Sequence, residues 1–313
     1  MGRKKRGNPI NGWLMVDKPL DWTSTDVVNK LKYHLFAQKA GHGGTLDPLA
    51  TGLLPIAFGE ATKTANFALE GEKLYDFTVK WGESTNTDDA EGEVIATSDT
   101  RPTEQEILDI LPEFTGIRLQ TPPQFSAIKI KGQRAYDLAR KGEKADIPAR
   151  EVEAYEINLL ECDDTQARFE VACSKGYYVR ALARDLAQAL QTEGHVSVLR
   201  RTGVGGLGVE DAIPLQEILD LSGEEAIENM LMPVDAVLDD IPAVELTADE
   251  AHKMRSGNPV LFLRRHDRAR IEGLQAEAAG DEESFVLALC GGDPVALAQL
   301  NGAELAPKRV FNL

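Results

Sequence analysis

The chain reads as a mixed α/β (α+β) protein with a central, mainly antiparallel sheet and flanking helices. Three observations lead there. Leu74 to Trp81 alternates, with Leu74, Asp76, Thr78 and Lys80 opposite Tyr75, Phe77, Val79 and Trp81, which is the period of a strand with one buried face. Tyr178 to Thr192 places Leu182, Leu186, Ala189 and Leu190 on one face, the mark of an amphipathic helix. Strands and helices do not take turns regularly along the chain, which argues against a doubly wound parallel sheet.

The elements follow in order. Gly12 to Val16 reads as a strand ending at Asp17-Lys18-Pro19, and Thr23-Ser24 caps a helix built on Val27, Val28, Leu31 and Leu35. Leu53 to Phe58 is a buried apolar run, and Ala61 to Leu69 looks helical. The acidic stretch Glu83 to Glu93 is a loop or hairpin, and Glu104 to Leu111 a short helix. Ser126 to Ile130 is a strand, Lys131-Gly132 a turn, and Arg134 to Lys141 a basic helix. Val152 to Leu160 and Ala167 to Cys173 read as paired strands. Pro233, Asp235, Asp239, Asp240 and Pro242 suggest a linker. Beyond it come a helix, Ala248 to Ser256 after the cap Thr247, and short strands at Val260 to Leu263, Arg270 to Glu272, Phe285 to Leu289 and Val295 to Leu297. This gives a basic tail at 1–8, a large domain at 9–240 and a small β-rich domain at 243–313.

Composition narrows the function classes. No apolar run approaches the ~20 residues that cross a bilayer, and the basic start lacks the apolar stretch of a signal peptide. Position 6 is Arg, so the myristoylation pattern fails as well. Cys162, Cys173 and Cys290 are odd in number and far apart, which fits a reducing cytoplasm and offers no metal cluster. The net charge of −17 argues against nucleic acid until its distribution is considered. Residues 211–313 hold 20 acidic and 8 basic side chains, whereas 124–150 carries a net +4. A local basic patch still binds phosphate, because charges beyond ~8–10 Å are screened.

The segment from Gly41 to Gly52, GHGGTLDPLATG, is the most informative stretch. Its glycines and proline rule out a helix, so it reads as a shaped loop presenting one carboxylate, Asp47. From the loop alone, Asp47 is either a turn cap or a nucleophile or general base. Other signals are weaker. Gly203 to Gly208 matches G-x-G-x-x-G, but Pro214 spoils the helix that a dinucleotide site needs. Asp88, Asp89, Glu91 and Glu93 lack the EF-hand pattern and read as a solvated acidic loop. No G-x-S-x-G elbow accompanies Ser24 or Ser126.

The loop, extended to Leu53-Leu54-Pro55, resembles the signature of the TruB family, the tRNA pseudouridine-55 synthases. Four further motifs agree in the family's order. They are Val16-Asp17-Lys18-Pro19, the run from Pro122 to Lys129 with Gly132 to Arg140, Ser174 to Arg180, and Leu199 to Thr202. The tail from about 243 is similar to the family's PUA domain.

The resemblance implies a pseudouridine synthase fold and an isomerisation. The N1–C1′ bond of a flipped-out uridine breaks and the ring rejoins through C5, a reaction needing no cofactor and no metal. It implies Asp47 as the catalytic acid group, Arg180 as its ionic partner and Tyr75 as the ring that stacks on the base and accepts a proton. Tyr178, Leu199 and Lys18 fall at substrate-binding positions, and His42 at the one that fills the vacated stack in the RNA. The basic segment 124–150 corresponds to an RNA-gripping insertion. The expected partner is the tRNA T-stem-loop, with no guide RNA and no membrane, and the chain is expected to act as a monomer. Gly43 departs from the family's usual Thr, and the acidic C-terminal piece departs from a basic RNA-binding module.

Overall fold

The computed structural model describes residues 6–126, 128–130, 133–140, 142, 145–263, 267, 270, 274 and 285–313. The strands of the larger part are β1 Gly12–Lys18, β2 Ala40–His42, β3 Ala50–Phe58, β4 Lys73–Trp81, β5 Glu83–Thr85, β6 Val94–Thr97 and β7 Gly116–Gln120. They continue with β8 Lys129–Ile130, β9 Gln133–Arg134, β10 Arg150–Cys162, β11 Gln166–Cys173, β12 Gly194–Val204, β13 Leu207–Gly208 and β14 Ile213–Pro214. Its helices are α1 Ser24–His34, α2 Ala65–Glu70, α3 Glu104–Phe114, α4 Ala135–Arg140, α5 Val179–Ala189, α6 Leu215–Asp220 and α7 Gly223–Met230.

Ten strands form one sheet in the order β14–β1–β3–β12–β4–β11–β10–β7, with β2 added to β3 and β13 to β12. The sheet is mainly antiparallel, as expected. Parallel pairs occur at β1–β14 and β3–β12. The second of these matters for function. It sets Leu199 beside Ala50 and Arg201 beside Gly52, just past the Asp47 loop. Gly52 is required there: its φ is +97°, and a Cβ would stand 2.2 Å from the Arg201 carbonyl oxygen. The core on one side of the sheet joins Val27 and Leu31 of α1, Leu182 and Leu186 of α5, and the stacked rings of Phe77 and Phe169, 5.3 Å apart.

Several helix starts follow from local chemistry. Thr23 with Asp26, Thr103 with Glu106, and Ser222 with Glu225 each form a reciprocal capping box. Pro112 lies in the last turn of α3. The apparent dinucleotide motif is a hairpin: Gly203, next to last in β12, pairs directly with Gly208, the last residue of β13. The basic helix predicted for 134–141 is α4, preceded by the β8–β9 pair. The predicted turn at Lys131-Gly132, Lys141, Lys144, most of the tail at 1–8 and most of the strand predicted at 270–272 lie outside the described residues.

The C-terminal sheet contains β15 Ala243–Glu245, β16 Val260–Leu261, β17 Phe285–Cys290, β18 Asp293–Asn301 and β19 Glu304–Val310, ordered β15–β17–β18–β19–β16. The helix α8 Ala248–Arg255, capped by Thr247 and Glu250, packs its buried Ala251 and Met254 on this sheet's core. The predicted linker needs correction. Val234 and Leu238 are buried, and the Trp13 indole donates to the Val234 carbonyl at 3.2 Å. Together with Trp13, Met15, Leu53, Leu287, Leu297 and Phe311 they form one apolar cluster spanning both parts. The prolines and acids that suggest a linker mark a strap instead, whose apolar residues, two to four apart, face inward.

Candidate active site

The Asp47 loop joins β2 to β3, and it is held by side-chain donors reaching its backbone. Ser24 Oγ accepts from Leu46 N–H at 2.8 Å and donates to Leu46 O at 3.0 Å. Lys18 Nζ donates to the carbonyls of Pro19, Trp22 and Pro48, at 2.9, 2.6 and 3.2 Å. Arg201 donates through Nε to Leu53 O at 2.8 Å and through Nη2 to Gly44 O at 3.1 Å. Lys18 and Arg201 are fully buried, and each is satisfied by carbonyls.

Asp47 Oδ2 stands 2.8 Å from Nη2 of Arg180, which lies in the first turn of α5. The Asp47 side chain is 36% exposed and that of Arg180 only 5%, so the cation is fixed inside while the carboxylate meets the cavity. Nη2 of Arg180 also donates to Phe125 O at 3.0 Å, and Nη1 donates to Thr87 O at 3.0 Å. Nη1 also pairs with Asp89 Oδ2 at 3.1 Å. Burial works against the Arg180 charge, but Asp47 and then Asp89 outweigh it and hold its pKa above the ordinary guanidinium value.

Asp89 was not legible in the sequence. The stretch 88–93 reads as a solvated acidic loop, yet Asp89 is 1% exposed and accepts from Thr87 Oγ1 and Glu91 N–H. Asp88, at φ +62°, pairs instead with Arg184 at 3.0 Å. A buried acid two residues from the exposed Glu91 leaves no periodic signal in a hairpin loop.

A cavity of about 530 Å³ opens beside Asp47. That lies within the range of about 300–1,000 Å³ usual for small-ligand sites and is roomy enough for one nucleotide. Its walls come from the loop (Gly44 to Asp47 and Ala50), from Leu69, Lys73 and Tyr75, from Arg150 to Val152, from Ser174 to Arg180, and from Leu199 and Arg201. Asp47, Arg180, Tyr75, Tyr178 and Leu199 are thus brought together from four separate stretches of chain. Tyr75 sits opposite Arg201 in the β4–β12 ladder. Burial pushes the Tyr75 phenol up, with Arg201 pulling the other way, so it stays an O–H at neutral pH. Tyr178 is the N-cap of α5, held at both backbone polar groups by Gln120, with the Arg150 guanidinium 5.1 Å from its ring centroid.

Two expected substrate contacts are placed elsewhere. Lys18 lies behind the loop with its ammonium committed to three carbonyls, and it does not line the cavity. His42 ends β2, half-buried, just before the cavity wall begins at Gly44. Burial, and then Arg201, lower the His42 pKa, so its imidazole is neutral at pH 7, and Nδ1 accepts from Gly44 N–H at 3.4 Å. Lys73 and Arg201 line the cavity although sequence reasoning did not single them out. Arg201 lies inside a recognised motif, and Lys73 sits two residues before Tyr75 on the same strand face.

Comparison with known proteins identifies the family. The family model "TruB family pseudouridylate synthase (N terminal domain)" matches residues 32–179, and "tRNA pseudouridylate synthase B C-terminal domain" matches 180–239. The chain is 50% identical to the tRNA pseudouridine synthase B of Agrobacterium fabrum, over 99% of this chain and 97% of that one. It is 46% identical to the protein of the same name from Caulobacter vibrioides, over 100% of both. Among solved structures, an H/ACA RNP bound to a substrate RNA containing 2′-deoxyuridine shares the fold, with a TM-score of 0.72 and 21% identity over 100% of this chain and 92% of that one. With family models matched from residue 32 to 239 and half-identical relatives matched over nearly the full length, the chain belongs to the TruB family of pseudouridine synthases.

Proposed function

We propose that the cavity receives uridine-55 of the tRNA T-loop and that Asp47 drives its conversion to pseudouridine. The chain is a tRNA pseudouridine synthase, as its half-identical relatives are. The N1–C1′ bond breaks, the uracil turns, and C5 bonds to C1′. The C5 proton leaves and N1 takes one up, so no atoms or electrons are gained or lost.

The observation that carries this reading is the 2.8 Å Arg180–Asp47 pair at the wall of the cavity. The pair uses Oδ2, which leaves Oδ1 for the reacting atoms. Because Arg180 is fixed by two carbonyls and Asp89, the carboxylate meets its substrate already oriented, and that saves reorganisation during the reaction. Tyr75, kept as an O–H by burial and lying beside Asp47, offers its ring to the uracil face and a hydrogen-bond donor to the site; an intact phenol is too weak a base to take the C5 proton itself. Tyr178, braced by Gln120 and Arg150, and Leu199 close the apolar side. A uridine within a folded loop reaches Asp47 only by leaving its stack, at a cost of a few kcal/mol. His42, neutral and next to the wall, is suited to fill the space left behind. The basic segment 124–150 would hold the phosphates, and Arg150 at its end lines the cavity. We read the enzyme as a monomer acting without a guide RNA.

The test uses a T-arm RNA carrying tritium at uridine C5. Wild type is expected to release tritium, and Asp47→Asn to bind the RNA and release none. Release that survives the substitution would remove Asp47 from the chemistry. Tight binding without release by the wild type would point to a binding protein instead.

A further inference from the structure

Residues 59–70, the 3₁₀ turn Gly59–Lys63 and α2, touch the C-terminal sheet on one side and the active site on the other. On the outer side, Glu60 accepts from Asn312 N–H at 2.8 Å and Lys63 Nζ donates to Val310 O at 2.7 Å. Phe67 meets Phe285 of β17 edge to face, with ring centroids 5.3 Å apart. On the inner side, Leu69 lines the cavity, and the Lys73 ammonium caps α2 by donating to the carbonyls of Leu69 and Gly71.

The tightest contact is with the Asp47 loop itself. A Cβ at position 43 would stand 2.8 Å from the Ala68 Cβ, closer than nonbonded carbons approach. Gly43 cannot step aside, because its N–H donates to Pro55 O at 2.8 Å. Its φ lies outside the left-handed region, so the glycine serves space here and not backbone conformation. Gly43 is four residues before Asp47. The chain's departure from the family's Thr therefore does not loosen the loop; it lets α2 press directly on it.

We propose that the C-terminal domain positions Asp47 through this brace, with Phe285 and Phe67 as positioning residues and the Gly43–Ala68 contact as the point of transmission. The proposal rests on the Asp47 chemistry argued above. The domain's charge agrees: residues 243–313 carry 11 acidic and 8 basic side chains, which suits a brace better than a phosphate-binding surface. A displacement of the loop by a fraction of an ångström is enough to slow a reaction whose groups must be aligned.

The experiment measures tritium release from T-arm RNA, separated into kcat and KM, for wild type, Phe285→Leu, Gly43→Ala, Ala68→Gly and the Gly43→Ala/Ala68→Gly pair. Amide hydrogen exchange over residues 42–50 is followed alongside. Phe285→Leu is the mild variant, chosen so that the domain keeps its core. It is expected to lower kcat about tenfold with KM within about twofold, and to speed exchange in the loop. Gly43→Ala should do the same, and removing the Ala68 methyl in that background should restore most of the rate. An unchanged kcat in folded Phe285→Leu, a rise confined to KM, or no rescue by Ala68→Gly would overturn the brace. If the wild type itself released no tritium, the uridine reading would fail, and the exchange data would still decide whether Phe285 steadies the loop.

Discussion

At the scale of single residues, the Asp47 carboxylate, proposed above as the catalytic group, depends on a second acid that does not line the cavity. Arg180 sits between Asp47 and Asp89, and the three charges sum to −1. Removing Asp89 leaves a buried cation leaning on one exposed partner. Asp89→Asn is expected to lower stability by up to about 3–5 kcal/mol, the scale for losing one partner of a buried pair, with the amide oxygen retaining part of it. The rate should fall along with it, since Arg180 is then free to tilt. Urea unfolding and tritium release measure the two effects, and a variant as stable and as fast as wild type would contradict this account. Legibility at this scale was uneven. Asp47 and Arg180 stood in motifs whose spacing was specific. Asp89 stood in a run of acids, where one buried residue looks like its exposed neighbours. Lys18 stood in a motif too, but the motif could not say that its ammonium faces the back of the loop.

At the scale of elements, helix starts were readable at Thr23, Thr103 and Thr247, where a capping pair marks them, although the same pair at Ser222 and Glu225 did not reveal α7. The strand β12 was not, although it lies at the centre of the sheet and carries both Leu199 and Arg201. Register shifts between Val196 and Val198 and between Arg201 and Gly203 break its period of two. The buried Arg201 in its middle also disguises it as a surface segment. Two lysines at element ends give a pH prediction. Burial lowers Lys18 and Lys73 to about 8 from their ordinary 10.5. Between those values the unfolded chain binds more protons than the folded one, so stability rises as pH climbs through the window and is lost as pH falls through about 8. Cys173, pushed by burial from 9 to about 12, opposes this above pH 9. The clean interval is therefore pH 8 to 9, where the urea midpoint should rise in wild type and stay flatter in Lys73→Met. Activity should move the other way, because a neutral Lys18 has two N–H groups for three carbonyls, one of them Pro48 of the loop. A rate that climbs with the midpoint over that interval would contradict this role for Lys18.

At the scale of the whole molecule, the sequence conveyed a mixed sheet and two parts but not how the parts meet. Strand periodicity at 74–81 and 167–173 was enough for the antiparallel centre: 167–173 buries one face in clean alternation, and 74–81 alternates in sequence although Thr78 is buried between Phe77 and Val79. The prolines and acids of 233–242 suggested a tether because composition describes what faces water, and Val234 and Leu238 face the other way. The two parts instead share one buried cluster that includes Trp13, Leu53, Leu297 and Phe311. A core shared in this way couples their unfolding. Scanning calorimetry is expected to give a single transition with matching calorimetric and van't Hoff enthalpies. Two separated peaks would mean that the parts melt independently.

The loop that presents Asp47 is secured by Lys18, Ser24 and Arg201, and almost every bond they make with it ends on a peptide carbonyl or amide. Main-chain atoms are the same whatever residue they belong to. The instruction that places Asp47 is therefore written in three side chains outside the loop, while the receiving positions, among them Leu46, Pro48 and Leu53, contribute only a peptide group to those bonds. A redesigner could redraw the apolar lining around the base and keep the aim of the carboxylate, provided those three donors stayed in place.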